Sequence, residues 1–344
     1  MEYPKRWSCY SRYFDDILGP PENYTCRSLF CPVPLSLKPY LGNGFIATQP
    51  DSPWIFLDGL YNGDTTESHR ACIPSPICWS AKVHLDPDAP LSDTPMHEAD
   101  WMHFGMGVHS RRVFHRGVHV EMSTFVSRSR PGVLIRFVEA FFPECASTDQ
   151  ILVTPDSAVE FYSPDCEIVT TRISDGTAII GSTRIVESEH FQPETSRFYI
   201  FTNVIPDTLS NGFTLTPNDP YRIFLTCISR KSMSHAMEQY TSECRLCWQR
   251  SLHFLVEEQA ATWSQLWHDG GILLGITSRL FVGHVFWDME MWMLPWVNLF
   301  HTNQCRLALD YRYFMVPAAR YLALLENHEG ARYPWESAFT GNFF

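Results

Sequence analysis

The chain has 344 residues and a mass of 39.7 kDa, is 45% apolar and 19% charged, and carries a formal charge of −12 at pH 7. This composition provides for more than one ordinary domain with its own core and excludes a disordered tail or linker. It also excludes a nucleic-acid partner, because phosphate binding needs clustered cations, and only four lysines are present.

The eleven cysteines are odd in number and scattered, which points to free thiols and a reducing, cytoplasmic setting. No apolar signal core follows the first residues, since Asp15 and Asp16 interrupt it. The most apolar window, 271–287, contains Arg279 and His284 and falls short of the ~20 residues of a membrane helix, so no membrane partner is expected.

Taken in chain order, residues 1–38 mix aromatics, prolines and three cysteines without a period, and read as an irregular leader. Residues 39–230 consist of short apolar runs broken by Gly, Pro, Asn and Asp, the texture of a large antiparallel β-sandwich. Within it, 114–122 alternates Phe114, Val118, Val120 and Met122 with His115, His119 and Glu121, which predicts a strand with one wet face. Residues 133–142 are apolar on both faces apart from Arg136 and Glu139, as in a strand covered on both sides. Asn62-Gly63 and Asn211-Gly212 supply hairpin turns, and Gly105-Met106-Gly107 lacks the third glycine of a dinucleotide loop and reads as a turn. His115 and His119 on one strand would stand ~13 Å apart, too far to share an ion. Residues 58–64 lack the ligand spacing of a calcium loop and read as a loop rim, with His69-Arg70 able to carry polar groups toward a ligand.

Residues 231–271 lose proline and recur at helical spacing, predicting a helical linker that ends at Gly270-Gly271. The Cys244-x-x-Cys247 pair within it has no second pair at usable distance and reads as packing. Residues 272–344 form the last unit, with helices at 284–300 and 305–326 interrupted by Pro295 and Pro317.

Phosphate loops, G-x-S-x-G elbows and H-E-x-x-H helices are all missing from the sequence. The densest chemistry is Phe286-Trp287-Asp288-Met289-Glu290-Met291-Trp292, followed by Pro334-Trp335-Glu336-Ser337. Tryptophan packs on the C–H face of a pyranose while a carboxylate accepts from its hydroxyls, so this pairing suits a sugar, although core tryptophans beside solvated acids share the composition.

Four motifs in order, Tyr40-Leu41-Gly42-Asn43-Gly44-Phe45, Gly59-Leu60-Tyr61-Asn62-Gly63, Gly283-His284-Val285-Phe286-Trp287-Asp288 and Ala331-Arg332-Tyr333-Pro334-Trp335-Glu336-Ser337, resemble glycoside hydrolase family 65. His69-Arg70-Ala71, Pro74-Ser75-Pro76 and Leu309-Asp310-Tyr311-Arg312 are similar to one branch of it, which acts on glucosylated hydroxylysine. The resemblance implies an N-terminal β-sandwich, a helical linker and an (α/α)6 barrel, with inverting hydrolysis at a glucoside. It implies that Trp287 and Asp288 line a glucose pocket completed by Trp335 and Glu336, and that the substrate is a glucosylated carbohydrate or glycopeptide, glucosyl-galactosyl-hydroxylysine of collagen-like peptides. Disaccharide phosphorolysis and non-catalytic carbohydrate binding are the alternatives. The family's general acid is a Glu of a later segment that nothing here matches, so the resemblance assigns no catalytic residue, metal or cofactor. The chain reads as truncated, with an incomplete barrel that leaves Trp292, Leu294, Trp296, Leu299 and Phe300 without neighbours.

Overall fold

The computed structural model describes residues 25–28, 38–64, 67–84, 97–115, 118–143, 150–249, 252–268 and 284–341. The strands begin with β1 (Thr25–Ser28), β2 (Leu41–Gly42), β3 (Ile46–Thr48), β4 (Trp54–Leu57), β5 (Tyr61–Asn62), β6 (His69–Arg70), β7 (Ile73–Pro74) and β8 (Ala81–His84). Longer strands follow: β9 (His97–His103), β10 (Val108–His115), β11 (Val118–Val126) and β12 (Val133–Phe141). Next come β13 (Ile151–Pro155), β14 (Cys166–Ile173), β15 (Gly176–Thr183), β16 (Arg197–Thr202), the short helix α1 (Pro206–Ser210), β17 (Phe213–Leu215) and β18 (Tyr221–Ser229).

A nine-stranded antiparallel sheet in the order β1-β9-β10-β11-β12-β18-β16-β15-β14 organises this part. The four-stranded sheet β2-β3-β4-β7 and the three-stranded sheet β17-β13-β8 accompany it. Ile46, Ile55, Leu57, Ile73, Ile151 and Val153 of the small sheets share one core with Leu134, Val138, Ile179 and Ile200 of the large one. The opposite face of the large sheet packs under helices α2 (Met233–Gln249) and α3 (Leu252–His268), where Phe125, Val133, Ile135 and Phe137 meet Tyr240, Leu255, Val256 and Ala260. β12 is therefore covered on both sides, as its sequence predicts, and Arg136 is buried in it by donating to the carbonyls of Ile77 (3.1 Å) and Trp79 (2.5 Å), with its guanidinium 4.5 Å from the centre of the Trp79 ring. Arg130 of the β11–β12 turn pairs with Glu243 of α2 and Glu258 of α3, tying both helices to the sheet.

Three sequence expectations change here. The stretch 114–122 is not one strand but the facing ends of β10 and β11, with His115 opposite Val118. Of its supposed wet face Glu121 is buried against Arg112 (2.5 Å) and His119 is half-buried, and the strand separation of His115 and His119 no longer applies. No group of three or more His, Cys, Asp or Glu among the described residues is placed to hold a metal ion. The leader is not wholly irregular, because Thr25–Ser28 pairs with β9. The linker helix is two helices, with 250–251 outside the described residues, as are Gly270-Gly271. Cys244 and Cys247 are free, half-buried and packed against the α2 core, and burial pushes the Cys247 thiol up to about 11.

The last part holds β19 (Val285–Phe286), a π-helical turn at Met289–Met293, helices α4 (Leu294–Phe300), α5 (Thr302–Phe314) and α6 (Val316–Leu325), and β20 (Glu336–Ser337). The helix expected from His284 thus begins as a strand. Pro295 and Pro317 mark interruptions as expected: Pro295 follows the π turn, Pro317 follows the break between α5 and α6 at Met315, and each lies in the first turn of the helix it opens, where its missing N–H is not needed. Leu294 is buried with Val297, Cys305 and Ala308, against expectation. Trp292, Trp296 and Leu299 are exposed at 68%, 70% and 68%, as expected, while the Phe300 side chain is outside the described residues. No described helix is long and apolar enough to cross a membrane.

Candidate functional site

The two aromatic–carboxylate motifs, far apart in sequence, meet because β19 and β20 pair antiparallel, Phe286 opposite Glu336 and Val285 opposite Ser337. The Trp287 N–H donates to the Trp335 carbonyl at 3.2 Å, extending the pairing by one residue. The two indoles then stand edge to face, with ring centres 5.6 Å apart, and Trp335 also meets the Phe286 ring at 6.2 Å. Both indoles are about half exposed, at 44% and 54%. Asp288 follows directly, exposed, at the N-cap of the π turn with no capping hydrogen bond from its side chain. All four residues singled out by sequence therefore lie on or beside one two-stranded ribbon.

The ribbon is fixed from two sides. From the helical side, Arg312 of α5 donates to both oxygens of Glu290 (2.6 and 3.0 Å) and to the Ser337 hydroxyl (3.1 Å). A planar fork bound this way carries orientation as well as charge. The Tyr311 hydroxyl donates to the Ala338 carbonyl at 2.8 Å, and burial raises its pKa. From the sheet side, His284 Nδ1 stands 2.7 Å from Glu336 Oε1, and its ring lies 5.9 Å from that of Tyr61 in β5. Burial lowers the His284 pKa against the opposing pull of Glu336. Arg70 donates to the Tyr61 hydroxyl at 3.0 Å and so supports this wall. His69 instead sits 3.0 Å from Asp165, and the His69 and Cys72 contacts hold that carboxyl low despite its burial. Just after β20, the Thr340 N–H and hydroxyl both donate to Glu187 (2.7 and 2.8 Å), whose pKa burial pushes up.

The arrangement offers an apolar edge-to-face indole pair with carboxylates at its margin, which can pack the C–H face of a ring while accepting from its hydroxyls. His284, Glu290, Tyr311 and Arg312 were not assigned from sequence. Arg312 was within a motif and His284 was an ionisable group in an apolar window, which is the signal that could have marked them.

Residues 273–343 match the model of the glycosyl hydrolase family 65 central catalytic domain. The protein-glucosylgalactosylhydroxylysine glucosidase of Mus musculus is 23% identical over 87% of this chain and 47% of its own length. A kojibiose phosphorylase of Thermoanaerobacter brockii is 52% identical over a shorter stretch, 17% of this chain and 8% of its own. In three dimensions, a human-microbiome protein provisionally assigned as a kojibiose phosphorylase shares the fold with a TM-score of 0.66 at 13% identity, covering 93% of this chain and 52% of that one. The chain thus spans about half the length of the mouse and chicken glucosidases it matches. The family 65 catalytic model thus matches the segment that carries the ribbon, and the mouse and chicken glucosidases align with most of the chain.

Proposed function

We propose that residues 284–341 form the glucose-recognising part of a family 65 carbohydrate-active protein, in which Trp287 and Trp335 pack a glucose ring and Asp288 and Glu336 accept from its hydroxyls. The observation that carries this reading is the exposed 5.6 Å indole pair with Glu336 in register beside it. On this reading α4 to α6 are part of an (α/α)6 barrel, and the substrate is the terminal glucose of glucosyl-galactosyl-hydroxylysine in collagen-like peptides. Relatives bearing that activity's name in mouse and chicken, each aligned with 87% of the chain, support it. Inverting hydrolysis requires an acid on the leaving oxygen and an opposed water. The nearby Glu290 is committed to Arg312 and Glu336 to His284, so the residues in hand bind and orient glucose. Without a positioned acid, cleavage is slowed by ~10²–10⁴-fold. Phosphorolysis of a disaccharide is the second reading, favoured by the 52% identity to a kojibiose phosphorylase over its matched stretch.

Titration with D-glucose, followed by tryptophan fluorescence, tests the binding. A saturable change that Trp335→Ala weakens roughly tenfold, about 1.4 kcal/mol, is expected. No response at any glucose concentration sinks the reading. Glucose release from kojibiose only when inorganic phosphate is added would select phosphorolysis over hydrolysis.

A further inference from the structure

The contact between His284 and Glu336 lies where the last part of the chain meets the sheet part at Tyr61. Glu336 is one of only two residues in its strand, a poor platform for holding a long side chain still. Its carboxylate is partly open at 26% exposure, while the His284 ring is buried at 2%. The buried partner is seated by the sheet part of the chain, through Tyr61 of β5 at 5.9 Å, which Arg70 of β6 holds both by its hydroxyl at 3.0 Å and over its ring face at 5.5 Å. A relay of Arg70, Tyr61 and His284 therefore ends on Oε1 of Glu336.

We propose that His284 is a positioning residue for the sugar site, and that the β5–β6 hairpin of the sheet part is the wall that seats it. The proposal rests on the reading of Glu336 as an acceptor of glucose hydroxyls. A glutamate side chain that must be ordered only when ligand arrives loses rotamer freedom at that moment, and a histidine that orders it beforehand removes this cost. The same contact explains why a histidine stands in an otherwise apolar window: its ring serves the packing against Tyr61, and its Nδ1–H serves the carboxylate.

Ring and donor can be separated by substitution. His284→Phe keeps a ring against Tyr61 and removes the donor; His284→Asn places an amide N–H near the Nδ1 position and removes the ring. Positioning predicts that His284→Phe weakens D-glucose binding about tenfold while His284→Asn stays within about threefold of the parent. A purely packing role predicts the reverse order, and a His284→Phe variant that binds like the parent overturns the proposal. If the parent itself shows no glucose response, the glucose reading fails, and the positioning claim is decided by the ¹⁵N spectrum of the histidine-labelled chain. A His284 ring protonated at Nδ1, whose signal shifts in Glu336→Gln, supports it. Protonation at Nε2 with no response to Glu336→Gln overturns it.

Discussion

Glu139 of β12 stands directly opposite Glu121 of β11, and burial together with that neighbouring carboxylate pushes its pKa up to about 7. A carboxyl whose folded pKa exceeds its unfolded one holds its proton more tightly when folded, so its contribution to stability falls as pH rises from about 4.5 to about 7 and then levels. Glu139→Gln should therefore raise the melting temperature by a few degrees at pH 8 and leave it unchanged near pH 4, as thermal unfolding at the two pH values will test. An unchanged melting temperature at pH 8 would mean that Glu139 is solvated. The four carboxylate and indole positions of the site were legible in sequence because they sit inside short motifs with their own chemistry. The groups that hold them were not, because Arg312 acts on Glu290 and Ser337, and His284 on Glu336, through contacts 22 to 52 residues long that no local pattern encodes.

Among elements, the change from β texture to helical period was plain, because alternation and the 3.6-residue repeat are set by backbone geometry alone. Boundaries failed where one pattern ran through a turn. The even–odd alternation over 114–122 reads as one strand, but the register pairs Phe114 with His119 and His115 with Val118, so even positions of β10 share a face with odd positions of β11 and the pattern inverts at the connection. The prolines were legible as interruptions for a simpler reason: a residue without an N–H cannot sit in a helix interior, so the chain restarts its helix with Pro295 and Pro317 in the first turn. The turn joining β9 to β10 tests how closely α3 is docked. Gly107 there has φ +61° and lies so near the Trp263 ring that a Cβ would stand 2.3 Å from it. Gly107→Ala should cost about 2–4 kcal/mol, from the left-handed backbone and from the displaced indole together, read as a lower urea midpoint. A midpoint within error of the parent would show that α3 sits more loosely than this contact requires.

At the scale of the whole molecule, the exposed apolar side chains gather on the C-terminal helices. Trp292, Trp296, Leu299, Leu307, Tyr313, Phe314 and Leu324 are each more than 60% exposed, far from the scattered apolar residues of an ordinary surface. The chain should bind an apolar-surface dye strongly and self-associate as its concentration rises. Replacing Trp292, Trp296 and Leu324 together with glutamate should lower both effects severalfold in dye titration and light scattering. A monodisperse parent that does not bind dye would overturn this.

The β19–β20 ribbon is bound by contacts that are few and distant: two paired positions close a loop of about 50 residues, at an entropic cost on the order of 3–4 kcal/mol before any side chain contributes. Strands this short cannot hold themselves, so the ribbon is recruited only after α5, α6 and the sheet part are in place to receive it. The ribbon should therefore open in excursions during which the large sheet stays intact, read as faster amide exchange in β19 and β20 than in β12. On the glucose reading, the binding face would then have a lifetime of its own, shorter than that of the fold that carries it.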